Sequence, residues 1–131
     1  MKKKKADAKL PFYIKVGDTA IGFGKNSRQN DYLSFKKARK NDMFLHINEF
    51  SGSHVVIFND QPNNEEILTA AEICLILSNK TVGDVQFCQV KEIKKGTDQG
   101  KVQLNSYKLI TLNKIRSDTY NLLLHQKRFD N

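Results

Sequence analysis

The two histidines in the middle of the chain, His46 and His54, are the side chains best suited to chemistry. Asp42 precedes the first of them by four residues. Four residues of a strand span roughly 13 Å, which is too far for Asp42 and His46 to share a metal ion. No C-x-x-C or H-x-x-x-H spacing occurs in the chain. We therefore expect no metal centre and no cofactor.

A nucleophile or a phosphate-binding loop is equally poorly supported. Ser53 directly precedes His54, but adjacent strand residues point to opposite faces and no carboxylate is placed to orient the imidazole. Gly22, Gly24 and Lys25 resemble a phosphate loop only superficially, because the pattern G-x-x-x-x-G-K-[ST] is absent. We expect no catalytic residues.

Clustered positive charge favours a polyanionic partner. The net charge is +8, and residues 25–40 carry six Lys and Arg against one Asp. Such clusters bind phosphates and release counterions. Amide and hydroxyl side chains at 26–30 lie among these cations, and His or Arg can stack on bases. Two interpretations remain open at this point: an RNA-binding surface, or a capping turn beside two histidines that are satisfied inside a sheet.

Short elements must position these residues. Residues 12–16 and 19–23 form a predicted hairpin around Gly17 and Asp18, and 31–40 form a short basic helix capped by Asn30 or Asp31. Strands at 42–47 and 53–58 form a second hairpin. If Ile47 opposes Ser53, then His46 opposes His54 at about 5 Å between Cβ atoms.

The second half of the chain contains the most apolar helix. Asn63 and Glu66 form a predicted capping box, and the helix that follows is apolar almost all round, so we expect it to be buried. A strand follows at 85–93. A further hairpin is predicted at 101–104 and 107–112 around Asn105 and Ser106. Ser117 is predicted to cap a last helix that ends near 127–128.

These elements predict an α+β fold in which a mostly antiparallel sheet packs against a buried central helix, with a short basic helix and a C-terminal helix. We expect residues 1–9 to be a basic tail or linker and residues 10–131 to form a single domain. No run reaches the roughly 20 apolar residues of a membrane helix, and no secretory signal is evident. The two cysteines are expected to be buried thiols in a cytoplasmic protein.

Three segments, in the same order along the chain, resemble the NFACT RNA-binding domain (NFACT-R), a C-terminal domain of bacterial and eukaryotic NFACT proteins. They are K-N-S-R-Q-N-D-Y-L-S-F at 25–35, D-M-F-L-H at 42–46 and G-S-H-V-V-I at 52–57. Phe44 stands where that family usually has Trp. The resemblance implies a non-catalytic domain that contacts tRNA or rRNA on a stalled large ribosomal subunit in ribosome-associated quality control.

Charge and resemblance together predict an RNA-binding site with no membrane contact, in a domain expected to be monomeric when isolated. The alternative is a protein-interaction module that docks on a ribosomal or other protein, including the fibronectin-binding role of the family's older name. The predicted RNA-binding residues are Lys25, Asn26, Arg28, Gln29, Asn30, Lys36, Lys37, Lys40, His46, Ser53 and His54.

Overall fold

A seven-stranded antiparallel sheet forms the framework. The computed structural model describes residues 8–49 and 51–130. The sheet strands are β1 (Phe12–Val16), β2 (Thr19–Phe23), β3 (Met43–Ile47), β4 (Val55–Ile57), β5 (Gly83–Gln89), β8 (Lys108–Leu112) and β9 (Lys127–Arg128). Their order in the sheet is β8-β5-β3-β4-β2-β1-β9. The other elements are the paired strands β6 (Ile93–Lys95) and β7 (Val102–Leu104) and the helices α1 (Ser27–Tyr32), α2 (Asn64–Ile76) and α3 (Ser117–Leu123). The predicted α+β class is confirmed.

One face of the sheet packs against α2. Residues 69–75 of this helix are all buried, because the helix is apolar on most of its circumference. The alternate residues Met43, Leu45 and Ile47 of β3 point to the same core. The predicted capping box is present: Asn63 accepts from the Glu66 backbone, and the Glu66 carboxylate accepts from the Asn63 backbone.

The opposite face of the sheet is covered by α1, the turn after it, and the small β6–β7 sheet. Leu33, Phe44, Val56 and Cys88 are buried in this second core. Gly22 is needed here because a Cβ atom would lie 2.9 Å from Leu33 Cδ1 and would collide with it. The segment at 25–35, the first of those that resemble NFACT-R, therefore packs directly on the sheet rather than extending away from it.

Two local predictions are confirmed at residue level. Val16 pairs with Thr19 around Gly17, whose φ of 59° only glycine adopts readily. Leu45 pairs with Val55, which is the register predicted for this hairpin. The ring centroids of His46 and His54 lie 5.6 Å apart.

The basic helix begins earlier than predicted. Asn26, rather than Asn30 or Asp31, is its N-cap, and the Asn26 side chain accepts from the Gln29 backbone. After α1 the chain continues as a π-helical turn, Leu33–Lys37, closed by the Ala38 N–H donating to Leu33. Asn30 and Asp31 are consequently available to bind other loops.

The predicted strand at 85–93 is interrupted. A 3-10 turn, Val90–Glu92, redirects the chain, and the Val90 and Lys91 N–H groups donate to Asp42 and Lys40. The strand that follows therefore leaves the main sheet. The strand predicted at 53–58 is also shorter, since β4 is Val55–Ile57.

The predicted hairpin around Asn105 and Ser106 is wrong. β7 pairs with β6, whereas β8 pairs with β5 in the main sheet. The Asn105 N–H donates to Glu92 instead of closing a turn. The last helix also ends at Leu123, its N-cap is Arg116 rather than Ser117, and residues 127–128 form β9.

Residues 1–7, most of the predicted basic tail, lie outside the described residues. Among the residues that are described, no helix has the length and apolar character needed to cross a membrane.

Candidate nucleic-acid interface

Three loops meet at His54, whose side chain is buried. They are the β2–α1 loop, in which the Gly24 N–H donates to the His54 carbonyl, the β3–β4 loop, which contains His54, and the β6–β7 loop. His54 is 0% exposed, its Nδ1 lies 2.7 Å from Ser34 Oγ, and its Nε2 lies 3.1 Å from the Gly100 carbonyl oxygen. A residue of the first motif is thereby joined to a loop more than 60 positions along the chain.

The hydrogen bonds fix the tautomer of this imidazole. A carbonyl oxygen can only accept, so Nε2 carries the proton and Nδ1 accepts from the Ser34 hydroxyl. Burial, with a smaller contribution from His46, lowers the pKa of His54 to about 3. His54 is therefore neutral, and its ring links the loops through two hydrogen bonds.

His46 is held in a similar way. Its Nδ1 lies 2.7 Å from the Ile47 carbonyl oxygen, its ring stacks near Phe44, and only 3% of the residue is exposed. Burial lowers the pKa of His46 as well. Both histidines are neutral polar members of the second core.

Gln29, Asn30 and Asp31 each fasten a different loop. Gln29 accepts from the Lys25 backbone through its side-chain oxygen, and its amide nitrogen donates to the Ala8 carbonyl. Asn30 accepts from the His54 N–H and donates to the Gly52 carbonyl. Asp31 accepts from the Gly100 N–H at 3.0 Å. The Q-N-D part of the motif thus satisfies backbone groups that would otherwise be buried without partners.

Gly100 lets the β6–β7 loop approach α1 closely. Its φ is 80°, and a Cβ atom at this position would lie 2.6 Å from Ser27 Cβ. Any side chain here would be strained and would displace the loop from α1. This contact brings the cations of the β6–β7 region next to those of the β2–α1 region.

The polar groove is the first of two depressions beside this contact. Its volume is about 460 Å³, and its lining is rich in hydroxyl, amide and ammonium groups. The polar side chains of this lining include Lys25, Asn26, Ser27, Ser53, Lys80 and Lys101. Glu49 also lines it, but its carboxylate lies 2.9 Å from Lys80 Nζ.

The aromatic pocket is the second depression, on the other side of Gly100. It has a volume of about 260 Å³ and is lined by two partly buried rings, four cations, one acid and one amide. These residues are Lys9, Arg28, Asp31, Tyr32, Phe35, Lys36, Lys95 and Gln99. Helix α1 and the loop before β7 form part of both depressions.

The structure separates the predicted RNA-binding residues into two groups. Lys25, Asn26, Arg28, Lys36 and Lys40 are exposed, and Ser53 and Lys37 are partly so. The buried group, with polar atoms engaged inside the fold, comprises Gln29, Asn30, His46 and His54.

Two of the predicted cations lie outside both depressions, since neither Lys37 nor Lys40 lines the groove or the pocket. Lys37 Nζ lies 4.5 Å from the centre of the Phe129 ring, towards the β9 edge.

Lys25 lines the groove, and its Nζ also lies 3.9 Å from the centre of the Phe12 ring. Burial, and then the nearby Arg128, lower the pKa of Lys25.

Sequence reasoning missed the contribution of the β6–β7 region and of the aromatic rings. Lys95, Gln99 and Lys101 lie far from the motif in sequence, and only the Gly100 contact brings them near it. Tyr32 and Phe35, which the charge pattern does not select, both line the aromatic pocket. A cluster of Lys around a glycine, K-K-G at 94–96 and G-K at 100–101, was the available signal.

Metal-ion chemistry has no supporting geometry in residues 8–49 and 51–130, where no three His, Cys, Asp or Glu side chains cluster suitably. Cys74 and Cys88 are buried free thiols, and burial raises the pKa of both. The functional groups that remain are cations, amides, hydroxyls and aromatic rings, which are the groups of a nucleic-acid interface.

Comparison with known proteins agrees with this kind of interface. The family model for the NFACT protein RNA binding domain matches residues 9–105, which is most of the chain. The protein belongs to this family of RNA-binding domains.

Two curated relatives are longer than this chain. The "Rqc2 homolog RqcH" of Bacillus subtilis is 33% identical over 110 residues, which cover 80% of this chain and 19% of that protein. The protein of the same name from Streptococcus suis is 36% identical over 85 residues, covering 62% and 15%. The chain thus spans less than a fifth of the length of these relatives.

A solved structure shares the fold. It is the C-terminal part of the fibronectin/fibrinogen-binding protein from Streptococcus suis, with a TM-score of 0.78 and 29% identity, covering 93% of this chain and 51% of that chain.

Proposed function

We propose that this domain binds RNA without catalysing a reaction, and that it contacts tRNA or rRNA on the large ribosomal subunit in the quality control of stalled ribosomes. The family and the name of the relatives support RNA binding in ribosome quality control. The observation that carries the proposal is the pair of cationic depressions that are both lined by residues of α1 and of the β6–β7 loop. The proposal places the protein in the cytoplasm.

The charges of the two depressions explain why RNA fits. Seven Lys and Arg side chains line them, against two carboxylates. Both acids already have partners, since Glu49 pairs with Lys80 and Asp31 binds the Gly100 N–H. The surface therefore keeps an excess of positive charge that can neutralise phosphates.

The proposed roles follow from exposure. Lys25, Arg28 and Lys36 present charge outward and would hold phosphates, while Asn26 and Ser53 offer directed hydrogen bonds at the groove. Gln29, Asn30, His46 and His54 would act indirectly, by holding the loops that carry these groups.

The test is a tRNA titration followed by chemical shifts and by fluorescence anisotropy at two salt concentrations. The variant Arg28→Glu/Lys36→Glu should weaken binding and flatten the salt dependence, because each lost phosphate contact lowers the slope of log K against log salt by about 0.7–0.9. The variant Lys108→Glu/Lys114→Glu changes the charge equally outside both depressions and is the matched control. Equal losses in the two variants would contradict the assignment.

Absence of catalysis is tested with the same samples. Both ring nitrogens of His54 are occupied by Ser34 and Gly100, so this imidazole has no free position at which to exchange a substrate proton. The RNA recovered after titration should be chemically intact. Cleavage that disappears in a His54→Gln variant would refute this part of the proposal.

A protein-binding role is the second candidate. The solved structure with the same fold is described as fibronectin/fibrinogen-binding, and here Leu109 and Leu124 are 50% and 79% exposed. A module of this type would bind a ribosomal protein, fibronectin or another protein with little salt dependence. Surface plasmon resonance with fibronectin tests it, and binding lost in Leu124→Ser but retained in Arg28→Glu/Lys36→Glu would favour it.

A further inference from the structure

The aromatic pocket has a composition that phosphate binding alone does not require. Tyr32 and Phe35 line it together with Arg28, Lys36 and Lys95. Phosphates need cations and N–H donors, whereas an aromatic ring contributes nothing to an anion through its negative face. The two rings therefore point to a flat, apolar part of the ligand.

The Phe35 ring is held in place from within the fold. It makes a T-shaped contact with the His54 ring, with 6.5 Å between ring centroids. His54 is itself fixed by Ser34 and Gly100. The hydrogen bonds of His54 with Ser34 and Gly100 therefore position one wall of the pocket.

Lysine ammonium groups currently lie over both rings. Lys9 Nζ is 5.6 Å from the Tyr32 centroid and Lys95 Nζ is 6.0 Å from the Phe35 centroid. These distances are at the outer limit of cation–π attraction. The Lys95 side chain is 61% exposed, so it can move aside at low cost when a larger π-system enters.

The size of the pocket limits the ligand. At about 260 Å³ it falls just below the roughly 300–1,000 Å³ of pockets for drug-sized molecules. One base fits this scale, and a stacked duplex does not, because the bases of a duplex are buried in their own stack. Single-stranded loops and bulges are the RNA elements that present a base to aromatic side chains.

We infer that the aromatic pocket binds one unpaired nucleobase of the RNA, stacked against Tyr32 and Phe35, while Arg28, Lys36 and Lys95 hold the neighbouring phosphates. This inference rests on the proposed RNA binding and specifies which part of the RNA is recognised. It also assigns a binding role to Tyr32, Phe35 and Lys95, which the charge pattern alone does not select.

The test compares two RNAs of equal phosphate number, a hairpin with an unpaired loop and a fully paired duplex with the same stem sequence. Affinity is measured by fluorescence anisotropy at one salt concentration. The wild-type domain should prefer the hairpin by about tenfold, which lies within the range for stacking one base. The variant Tyr32→Leu/Phe35→Leu should lose this preference and retain its affinity for the duplex.

The matched control is Tyr107→Leu/Tyr120→Leu, which removes two exposed rings outside the pocket, 45% and 43% exposed in this structure. It should keep the tenfold preference. A hairpin with 2-aminopurine in the loop adds a measurement on the wild-type protein, which does not depend on how well a variant folds. Its fluorescence should fall on binding when the base stacks on the rings.

The outcomes separate the two levels of the proposal. Equal affinity of the wild-type domain for both RNAs, an equal loss for both in Tyr32→Leu/Phe35→Leu, or unchanged 2-aminopurine fluorescence would overturn the base-binding pocket and leave RNA binding intact. No binding of either RNA would overturn the proposed function itself.

Discussion

Mild acid should destabilise this domain through His54. The ring is fully buried, and its Nε2–H donates to Gly100 while Nδ1 accepts from Ser34. Protonation of Nδ1 would replace an acceptor with a donor inside a low-dielectric core beside a second imidazole, His46. The folded state therefore keeps His54 neutral at pH values at which the unfolded chain already binds a proton.

The magnitude follows from the two pKa values. The folded pKa is about 3, and the value in the unfolded chain is about 6.5. Because the folded pKa is lowered, the contribution of His54 is complete above about pH 6.5 and is lost as the pH falls towards 3. At pH 5.0 the loss is about 2 kcal/mol relative to pH 7.5. His46, whose pKa burial also lowers, acts in the same direction.

Urea denaturation followed by far-UV circular dichroism measures this loss. The chain has no Trp, so circular dichroism is preferable to intrinsic fluorescence. With a slope of about 2 kcal/mol per molar urea, the midpoint should fall by about 1 M between pH 7.5 and 5.0.

NMR identifies the histidine responsible. The long-range nitrogen–proton spectrum of the folded domain should show His54 as the neutral Nε2–H tautomer from pH 7.5 to 5.0. A folded-state titration midpoint above pH 5, or the opposite tautomer, would refute the assignment of the hydrogen bonds. A pH-independent urea midpoint would refute the linkage.

Three further results are expected. Arg116→Met should cost about 3 kcal/mol in thermal or urea unfolding, because Glu72 is 1% exposed and its carboxylate would lose the guanidinium; an unchanged midpoint would be inconsistent with a buried ion pair. Asn63→Ala should cost about 1 kcal/mol by removing the α2 cap, with Asn64→Ala as the neighbouring control that leaves the cap in place. Burial raises the pKa of the Cys88 thiol to about 12, so a thiol reagent should label it at pH 8 only after urea is added, and rapid labelling of the native protein would contradict this.

Local sequence patterns predicted the fold correctly wherever neighbouring residues decide the structure. The β1–β2 hairpin needed only a turn residue that tolerates positive φ, which Gly17 supplies. The capping box needed only an amide and a carboxylate three residues apart, Asn63 and Glu66. The histidine register followed from alternation, because β3 has one face in each core.

Local patterns failed where a distant surface decided the outcome. Asn105 and Ser106 have the composition of a two-residue turn, yet Val102 and Leu104 are drawn to the core on the outer face of the sheet. Their strand consequently pairs with β6, while β8 extends the main sheet beside β5. Burial of two apolar side chains contributes more than an isolated hairpin turn, which is only marginally stable in water.

At the candidate site, too, the sequence indicates which individual residues are exposed but not which distant segments are brought together. Of the predicted RNA-binding residues, Lys25, Arg28 and Lys36 are exposed, as charged side chains usually are, and their RNA-binding role stays a prediction. Clustered charge could not find Lys95 or Gln99, which reach α1 only through the folded β6–β7 loop. Chain proximity in sequence is a poor guide to a surface assembled from three loops.

The polar residues of the motif have a structural explanation that their residue types conceal. Amide and imidazole groups suit both RNA recognition and the satisfaction of buried backbone groups, and a sequence does not distinguish the two uses. Here Gln29, Asn30 and His54 bind backbone atoms of other loops. The β2–α1 and β6–β7 loops contribute cations to one surface, and the interior network fixes how those groups are spaced. The motif therefore specifies the geometry of the surface proposed to bind RNA, even where its own side chains are not exposed.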